Sequence, residues 1–204
     1  KHTLEKKNNG EHNLFFRSQL TIAKELFVLR NAGNTRTHSE GSMVGSLEFC
    51  VGALKTRFIL VLGHTKCGAV HGATKAFLAG KTTENRGLGN ALDFLLQELS
   101  GVAKHAASEL GPEATADEIA AHAVKVNVFH TMNFLLKYSS HIRDQVRLGE
   151  LEIHGGIYHL ETGRVEFLGR SPAQHVLISA KGVLPPSLEH KFKETALLLG
   201  ALGA

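Results

Sequence analysis

Two residues with metal-binding chemistry lie three positions apart, directly after an apolar segment. Ile59 to Gly63 reads ILVLG, and His64 and Cys67 follow it. Imidazole nitrogen and thiolate sulfur are preferred zinc ligands, and a catalytic zinc takes three protein ligands and keeps a fourth position for water. Ligands bind at the carboxyl ends of the strands in an open parallel sheet. The pattern therefore predicts that His64 and Cys67 bind one metal ion, with a third ligand from elsewhere.

The same two residues also have a purely structural interpretation. An isolated H-x-x-C occurs by chance, so Cys67 could be an inert buried thiol and His64 could cap the following helix. Gly63 and Gly68 flank the pair, and residues without a side chain let the backbone approach a neighbouring group closely. The rest of the chain has to decide between the two interpretations.

The segments around the pair predict an α/β fold. Leu26 to Leu29, before an Asn/Gly turn, and Phe58 to Leu62 are apolar runs typical of buried strands. Between them, residues 42–54 carry apolar side chains at helical spacing. Strand, helix and strand with continuous apolar strands indicate a largely parallel central sheet flanked by helices.

The second half of the chain predicts helices and then a hairpin. Residues 88–106 and 115–149 have helical periodicity, and Thr115 with Glu118 forms a capping-box pattern. Residues 151–169 alternate and are interrupted at 161–163, which predicts two strands joined by a tight turn. We predict one domain over residues 1–204, with an N-terminal helical arm (1–20) and a C-terminal extension (171–204). That extension contains a strand-like HVLISA (175–180) and a helix (188–202).

Composition excludes several classes of protein. Of the 204 residues 43% are hydrophobic and 21% charged, and no apolar run is long enough to span a membrane. The net charge of +4 is dispersed, which argues against nucleic-acid binding. No glycine pattern typical of nucleotide binding follows a strand. The first residues, KHTLEKKNNG, include neither an initiator Met nor a signal-peptide segment, which predicts a trimmed form.

The cysteine count predicts a compartment. Two cysteines cannot form a disulfide framework, although one bridge is possible, and this favours a reducing, intracellular location in the cytoplasm or an organelle.

Five segments together resemble the β-class carbonic anhydrases, in the same order. They are FVLRNAGN, SLEF, LVLGHTKCGAV, VKVNVFHTMNFLLKYSSHIRD and GELEIHGGIYHLETGRVEFL. The resemblance covers residues 25–168, and its GHTKCG segment is highly specific. It implies a largely parallel α/β fold, assembly as homodimers or multiples of dimers, and Zn²⁺ held by Cys, His and Cys, with His64 and Cys67 as the second and third ligands. The implied reaction is the zinc-dependent, reversible hydration of carbon dioxide to bicarbonate and a proton.

The first ligand of that family is missing from the sequence. The family carries it in a strand ending C-x-D-S-R, and no such segment occurs here; nothing before Cys50 can supply a thiolate. The Asp–Arg pair of that motif is absent with it, so no catalytic residue can be named. Three explanations are open: the natural chain carries a segment that the printed sequence lacks, the segment is deleted, or another side chain replaces the ligand.

Several other residues have expected roles. Cys50 is expected in the core, since its spacing from neighbouring apolar residues indicates packing. His38 is the better substitute ligand because it lies in a loop after a strand, Glu40 is an alternative, and Glu48 is expected to be structural. The resemblance places Asn31, Gly33, Asn34 and Gly68 around the substrate pocket. Among the histidines, His71 is an exposed helix residue or a proton relay, His154 is a structural hydrogen-bonding residue, and His130, His141 and His159 show no ligand spacing.

Three functions compete at this point. The leading hypothesis is a carbonic anhydrase. The alternative is a catalytically inactive relative that acts as an oligomeric or scaffold protein without a complete zinc site. A third is the same zinc chemistry on a related heterocumulene such as carbon disulfide, which nothing in the sequence specifically supports.

Overall fold

The computed structural model describes residues 26–35, 41–80 and 91–179. A single 3-10 turn, Ala32–Asn34, comes first. The helices and strands that follow in these residues are α1 (Ser42–Gly52), β1 (Phe58–His64), α2 (Gly68–Leu78), α3 (Ala91–Leu110), α4 (Ala116–Tyr138), α5 (Ser140–Arg147), β2 (Glu152–His159), β3 (Arg164–Gly169) and α6 (Gln174–Ser179).

The three strands form one mixed sheet in the order β1-β2-β3. β1 runs parallel to β2, with Phe58 opposite Glu152 and His64 opposite Tyr158. β2 and β3 form the predicted antiparallel hairpin, and Gly163 in its turn has a φ of 68°, a backbone conformation that favours glycine. The predicted α/β class is confirmed, and within the described residues one strand pair is parallel and the other antiparallel.

Helix α4 covers one face of this sheet. A side chain at Gly63 would meet Val128 and Val124 of α4, and one at Gly155 would meet Val128, so glycines in β1 and β2 let the helix lie close to the strands. The core between them consists of buried aliphatic side chains, among them Val61, Val128, Met132, Leu135, Leu136, Ile142 and Ile153. This packing fixes the direction in which β1 presents its carboxyl end.

The opposite face of the sheet carries apolar side chains that stay accessible. Phe58 of β1 and Phe167 of β3 are 47% and 42% exposed in the described part of the chain. Each ring lies 5.3 Å, centroid to centroid, from the His154 ring between them. Leu62 belongs to the same surface, and we call Phe58, Leu62, His154 and Phe167 the open face.

Local signals explain how the helices begin. Thr115 caps α4, since its hydroxyl accepts the Glu118 N–H and the Glu118 carboxylate accepts the Thr115 N–H, which confirms the predicted capping box. The helical pattern predicted over residues 115–149 is divided at Ser139, whose hydroxyl accepts the Ile142 N–H and starts α5.

The buried Arg143 donates to the carbonyls of Leu136 and Lys137 at the end of α4, and burial lowers the pKa of its guanidinium.

Two predicted strands are wrong. Residues 26–30 have no regular structure, and Leu26, Phe27 and Val28 are exposed, because within the described chain no strand pairs with them and β1 pairs only with β2. Residues 175–179 of the HVLISA segment lie in α6, whose Leu177 packs into the core beside α4 and α5. A short apolar run suits either a strand or a buried helix, and tertiary packing decides between them.

Other predictions fall outside the described residues. These are the N-terminal arm, the helix at 188–202, His38 and Glu40. Within the described ranges, no helix combines the length and apolarity that a membrane crossing requires.

Candidate metal site

His64 is the last residue of β1, and a backbone contact fixes its ring. Its Nδ1 lies 2.9 Å from the carbonyl oxygen of Thr65. A carbonyl oxygen can only accept, so Nδ1 carries the proton and donates it to this bond. In the neutral imidazole, the other nitrogen, Nε2, then keeps the lone pair that a metal ion needs.

Cys67 lies at the N-cap of α2, directly before the first helical residue. Its thiol is free, and the residue is only 8% exposed, next to Val70 and Ala73. The strand end and the helix start therefore place both predicted donors on one short turn.

Residues at the end of β2 and in the β2–β3 turn hold the Thr65–Lys66 turn between the two donors. The Thr65 N–H donates to the Tyr158 carbonyl at 2.9 Å, and the Thr65 hydroxyl accepts the Leu160 N–H at 3.0 Å. The same hydroxyl donates to Glu161 Oε2 at 3.0 Å, and Glu161 Oε1 lies 2.7 Å from Lys66 Nζ. Hydrogen bonds from Lys66, from its own backbone and from Thr65 lower the pKa of Glu161 to about 2.

A third donor is not found beside this pair in the described residues. No group of three His, Cys, Asp or Glu side chains there is arranged to hold a metal ion. Cys50 is a free thiol at 3% exposure inside the core, and burial raises its pKa, which confirms its expected structural place and leaves the two cysteines unbridged. Glu48 accepts a hydrogen bond of 2.6 Å from the Ser139 hydroxyl, which confirms its structural role.

The loop predicted to border the pocket is anchored by α4. Asn127 Nδ2 donates to the Gly33 carbonyl at 2.7 Å, and the Thr131 hydroxyl donates to the Asn34 carbonyl at 3.3 Å. Asn31 directly precedes the 3-10 turn, and its Nδ2 donates to the Thr35 carbonyl that follows the turn. The buried Asn34 Nδ2 has no hydrogen-bond partner within the described residues.

Gly68 borders open space, and three of the histidines contact acidic side chains. A side chain built at Gly68 would meet nothing within 4 Å, so the space beside this residue is open. His71 lies half-buried on α2 with its Nε2 3.3 Å from Asp117 Oδ1. His154 bonds to Glu152 Oε2 at 2.8 Å, which confirms its structural role. His159 Nε2 lies 3.2 Å from Glu166 Oε2 of β3.

A sequence model of the carbonic anhydrase family matches residues 15–165, well over half of the chain. The solved β-carbonic anhydrase of Coccomyxa, in complex with acetazolamide, is similar at a TM-score of 0.59 and 26% identity, covering 82% of this chain and 72% of that one. This chain belongs to the β-class carbonic anhydrase family.

Further relatives agree with this membership. The carbonic anhydrase of Synechococcus elongatus is 29% identical over 170 residues, which is 82% of this chain and 60% of the relative. Tetrameric β-carbonic anhydrases from Sordaria macrospora are similar at a TM-score of 0.57 and 27% identity, covering 70% of this chain and 68% of theirs. The chain thus spans less than two thirds of the Synechococcus relative.

Sequence reasoning missed three residues of this β-carbonic anhydrase family member. Thr65 and Glu161 hold the donor turn, and Asn127 anchors the Gly33 loop. One signal was available for Glu161. Because β1 and β2 are parallel neighbours, a polar residue just after β2 lies beside the loop that follows β1.

Proposed function

We propose that this chain catalyses the reversible hydration of carbon dioxide to bicarbonate and a proton, with zinc as cofactor. The observation that carries the proposal is the His64 ring, whose Nδ1 is bonded to the Thr65 carbonyl so that Nε2 is free, three residues before the free thiol of Cys67. Membership of the carbonic anhydrase family supports the same reaction.

The two donors have the chemistry that zinc requires. His64 Nε2 and Cys67 Sγ are the atoms we assign to the ion, and zinc when bound supplies a Lewis acid that activates water near neutral pH. The chain itself contributes orientation and shielding. The Thr65 carbonyl orients the imidazole, and burial keeps the Cys67 thiol away from bulk solvent.

We place the third ligand outside the described residues. Within residues 26–35, 41–80 and 91–179 no third donor joins the pair. His38 and Glu40 belong to the remainder of the chain, and the family resemblance implies a cysteine with an adjoining Asp–Arg pair that the printed sequence lacks. Intact mass would separate these sources, since a natural chain carrying the extra segment would be heavier than the 204 residues.

Asn31, Gly33, Asn34 and Gly68 form the substrate pocket in this proposal. Asn127 and Thr131 hold the carbonyls of Gly33 and Asn34, so the loop has a fixed position on α4. The Asn34 amide is a buried donor without a partner in the described part of the chain, which suits an oxygen of bicarbonate. The open space at Gly68 leaves room beside Cys67 for a small molecule.

Zinc content and hydration rate of three variants test the assignment. We expect about one zinc per chain in the wild type, and we expect Cys67→Ser and His64→Ala to lose zinc and hydration activity together, because each removes one donor. Cys50→Ala is the matched control, since it removes the other buried cysteine and is expected to keep both. Full zinc content in Cys67→Ser would contradict the assignment.

A catalytically inactive relative is the second candidate. The absence of the C-x-D-S-R segment from the sequence favours it. Protein with the mass of the 204 residues, no zinc after incubation with the metal, and no hydration activity would establish this candidate instead.

Assembly and location belong to the same proposal. The open face offers apolar surface for a second copy, and the solved β-carbonic anhydrases of Sordaria macrospora are tetrameric, so we propose a homodimer or a multiple of dimers. Two free, buried thiols support a reducing compartment.

A further inference from the structure

The turn between His64 and Cys67 depends on a residue that is distant in sequence. Thr65 uses all of its polar groups: its N–H bonds to Tyr158, its carbonyl accepts from His64, and its hydroxyl links Leu160 to Glu161. The ring of His64 is therefore connected through one residue to the turn between β2 and β3.

Lys66 has a backbone conformation that requires support. Its φ of 55° lies in the left-handed region, which is unfavourable for a residue with a side chain. Glu161 reaches this residue with one carboxylate oxygen and Thr65 with the other. A single carboxylate thus contacts both residues that separate the two zinc donors.

The Glu161–Lys66 ion pair contributes little to overall stability. The side chains are 44% and 74% exposed, and solvent screens an ion pair at such a position. We therefore assign the ion pair a role in positioning Thr65 and Lys66. Because the carboxylate stays ionised at neutral pH, it can hold the Lys66 ammonium and the Thr65 hydroxyl at the same time.

We infer that Glu161 is a positioning residue for the metal site. It holds the Thr65–Lys66 turn, and through the Thr65 carbonyl it determines which nitrogen of His64 is free to bind zinc. The inference rests on the proposed zinc function, although its central claim about the His64 ring applies equally to the metal-free chain. Outer contacts of this kind commonly decide the orientation and affinity of a ligand histidine.

The decisive experiment is ¹⁵N NMR of the His64 ring in zinc-free protein, at a pH at which the imidazole is neutral. We expect the wild type to carry its proton on Nδ1 and Glu161→Ala to move the population toward the Nε2–H tautomer. Glu161→Gln keeps an acceptor for Thr65 and loses the Lys66 pair, so an intermediate population is expected. Glu166→Ala, which removes an acid from the same hairpin, is the control and is expected to match the wild type.

Zinc affinity, measured by competition with a chelator, gives a second readout. We expect Glu161→Ala to bind zinc about tenfold more weakly and Glu166→Ala to bind it as the wild type does. An unchanged tautomer in Glu161→Ala would overturn the inference, whether or not zinc binds. If the wild type binds no zinc and Glu161→Ala still changes the tautomer of His64, only the proposed function is overturned. The two failures are therefore distinguishable.

Discussion

The chemistry proposed for His64 depends on one hydrogen bond to the backbone. The H-x-x-C spacing predicts the residue pair from the sequence, because two donors on one strand-to-helix turn are a local feature. The free nitrogen is not predictable in this way. It depends on the Thr65 carbonyl, and the turn that holds Thr65 is fixed by Glu161, 96 residues further along the chain.

The cap of α4 allows a prediction at the scale of a residue. Thr115→Ala removes an N-cap side chain and is expected to lower the free energy of unfolding by about 1 kcal/mol at neutral pH. Denaturant unfolding measures the loss. Thr162→Ala removes an exposed threonine whose hydroxyl accepts the Arg164 N–H at 3.3 Å but caps no helix, and it is expected to change stability by less than about 0.5 kcal/mol. Equal losses in the two variants would contradict the role of the cap.

The same cap predicts a dependence on pH. Hydrogen bonds from Thr115 lower the pKa of Glu118 from its usual value of 4.5. A carboxyl group with a lowered folded pKa stabilises the protein above its unfolded pKa, and this contribution is lost as the pH falls through the folded pKa. The stability deficit of Thr115→Ala is therefore expected to narrow below pH 4.5 without vanishing, because the Glu118 N–H bond to the threonine hydroxyl does not titrate. A deficit that is constant in unfolding curves from neutral to acidic pH would contradict this.

At the scale of elements, periodicity predicts the long segments and fails for short ones. α1, α3, α4, β1 and the β2–β3 hairpin follow from apolar spacing and turn residues. The segments 26–29 and 175–180 do not, since their apolar runs are too short to separate strand from helix. Whether such a run finds a strand partner or a helical neighbour depends on parts of the chain far away in sequence.

The contact between β1 and α4 gives a prediction for one glycine. A side chain at Gly63 would place its Cβ 2.9 Å from Val128 Cγ2 and 3.0 Å from Val124 Cγ1. Gly63→Ala is therefore expected to cost about 1–3 kcal/mol through overpacking. Since His64 is the next residue, we also expect its NMR signals to shift.

Gly45→Ala provides the matched control for this substitution. Gly45 lies within α1 and a side chain there would meet nothing within 4 Å, so alanine is expected to stabilise the protein by about 0.5–1 kcal/mol. Thermal or denaturant unfolding compares the two. If Gly63→Ala were as stable as Gly45→Ala, the close approach of α4 would be refuted.

At the scale of the whole molecule, α4 covers one face of the sheet, and the described residues leave the other face open. Helix α4 covers the side that carries Gly63 and Gly155, while Phe58, Leu62 and Phe167 stay accessible on the other. A strand without polar residues, such as Phe58–Leu62, is typical of a sheet covered on both faces. The sequence therefore predicts a cover for the open face but not the chain that supplies it.

Size-exclusion chromatography with light scattering tests the assembly. If a second copy covers the open face, Phe167→Glu is expected to shift the protein toward the monomer, because the interface would bury a charge. Leu148→Glu introduces the same charge at the end of α5, at a leucine that is 69% exposed, and is expected to keep the wild-type mass. Identical masses for the two variants would show that this face is not an interface.

The link between Thr65 and the hairpin also has a consequence for biosynthesis. Thr65 bonds to Leu160 and Glu161 across 95 and 96 positions of sequence, whereas α2, α3 and α4 are neighbours along the chain. Contacts between distant positions form more slowly than local ones. During synthesis, His64 and Cys67 leave the ribosome long before Leu160 and Glu161, the residues that hold their turn. The two proposed zinc donors are thus synthesised early, and we expect them to be among the last residues to reach their final geometry.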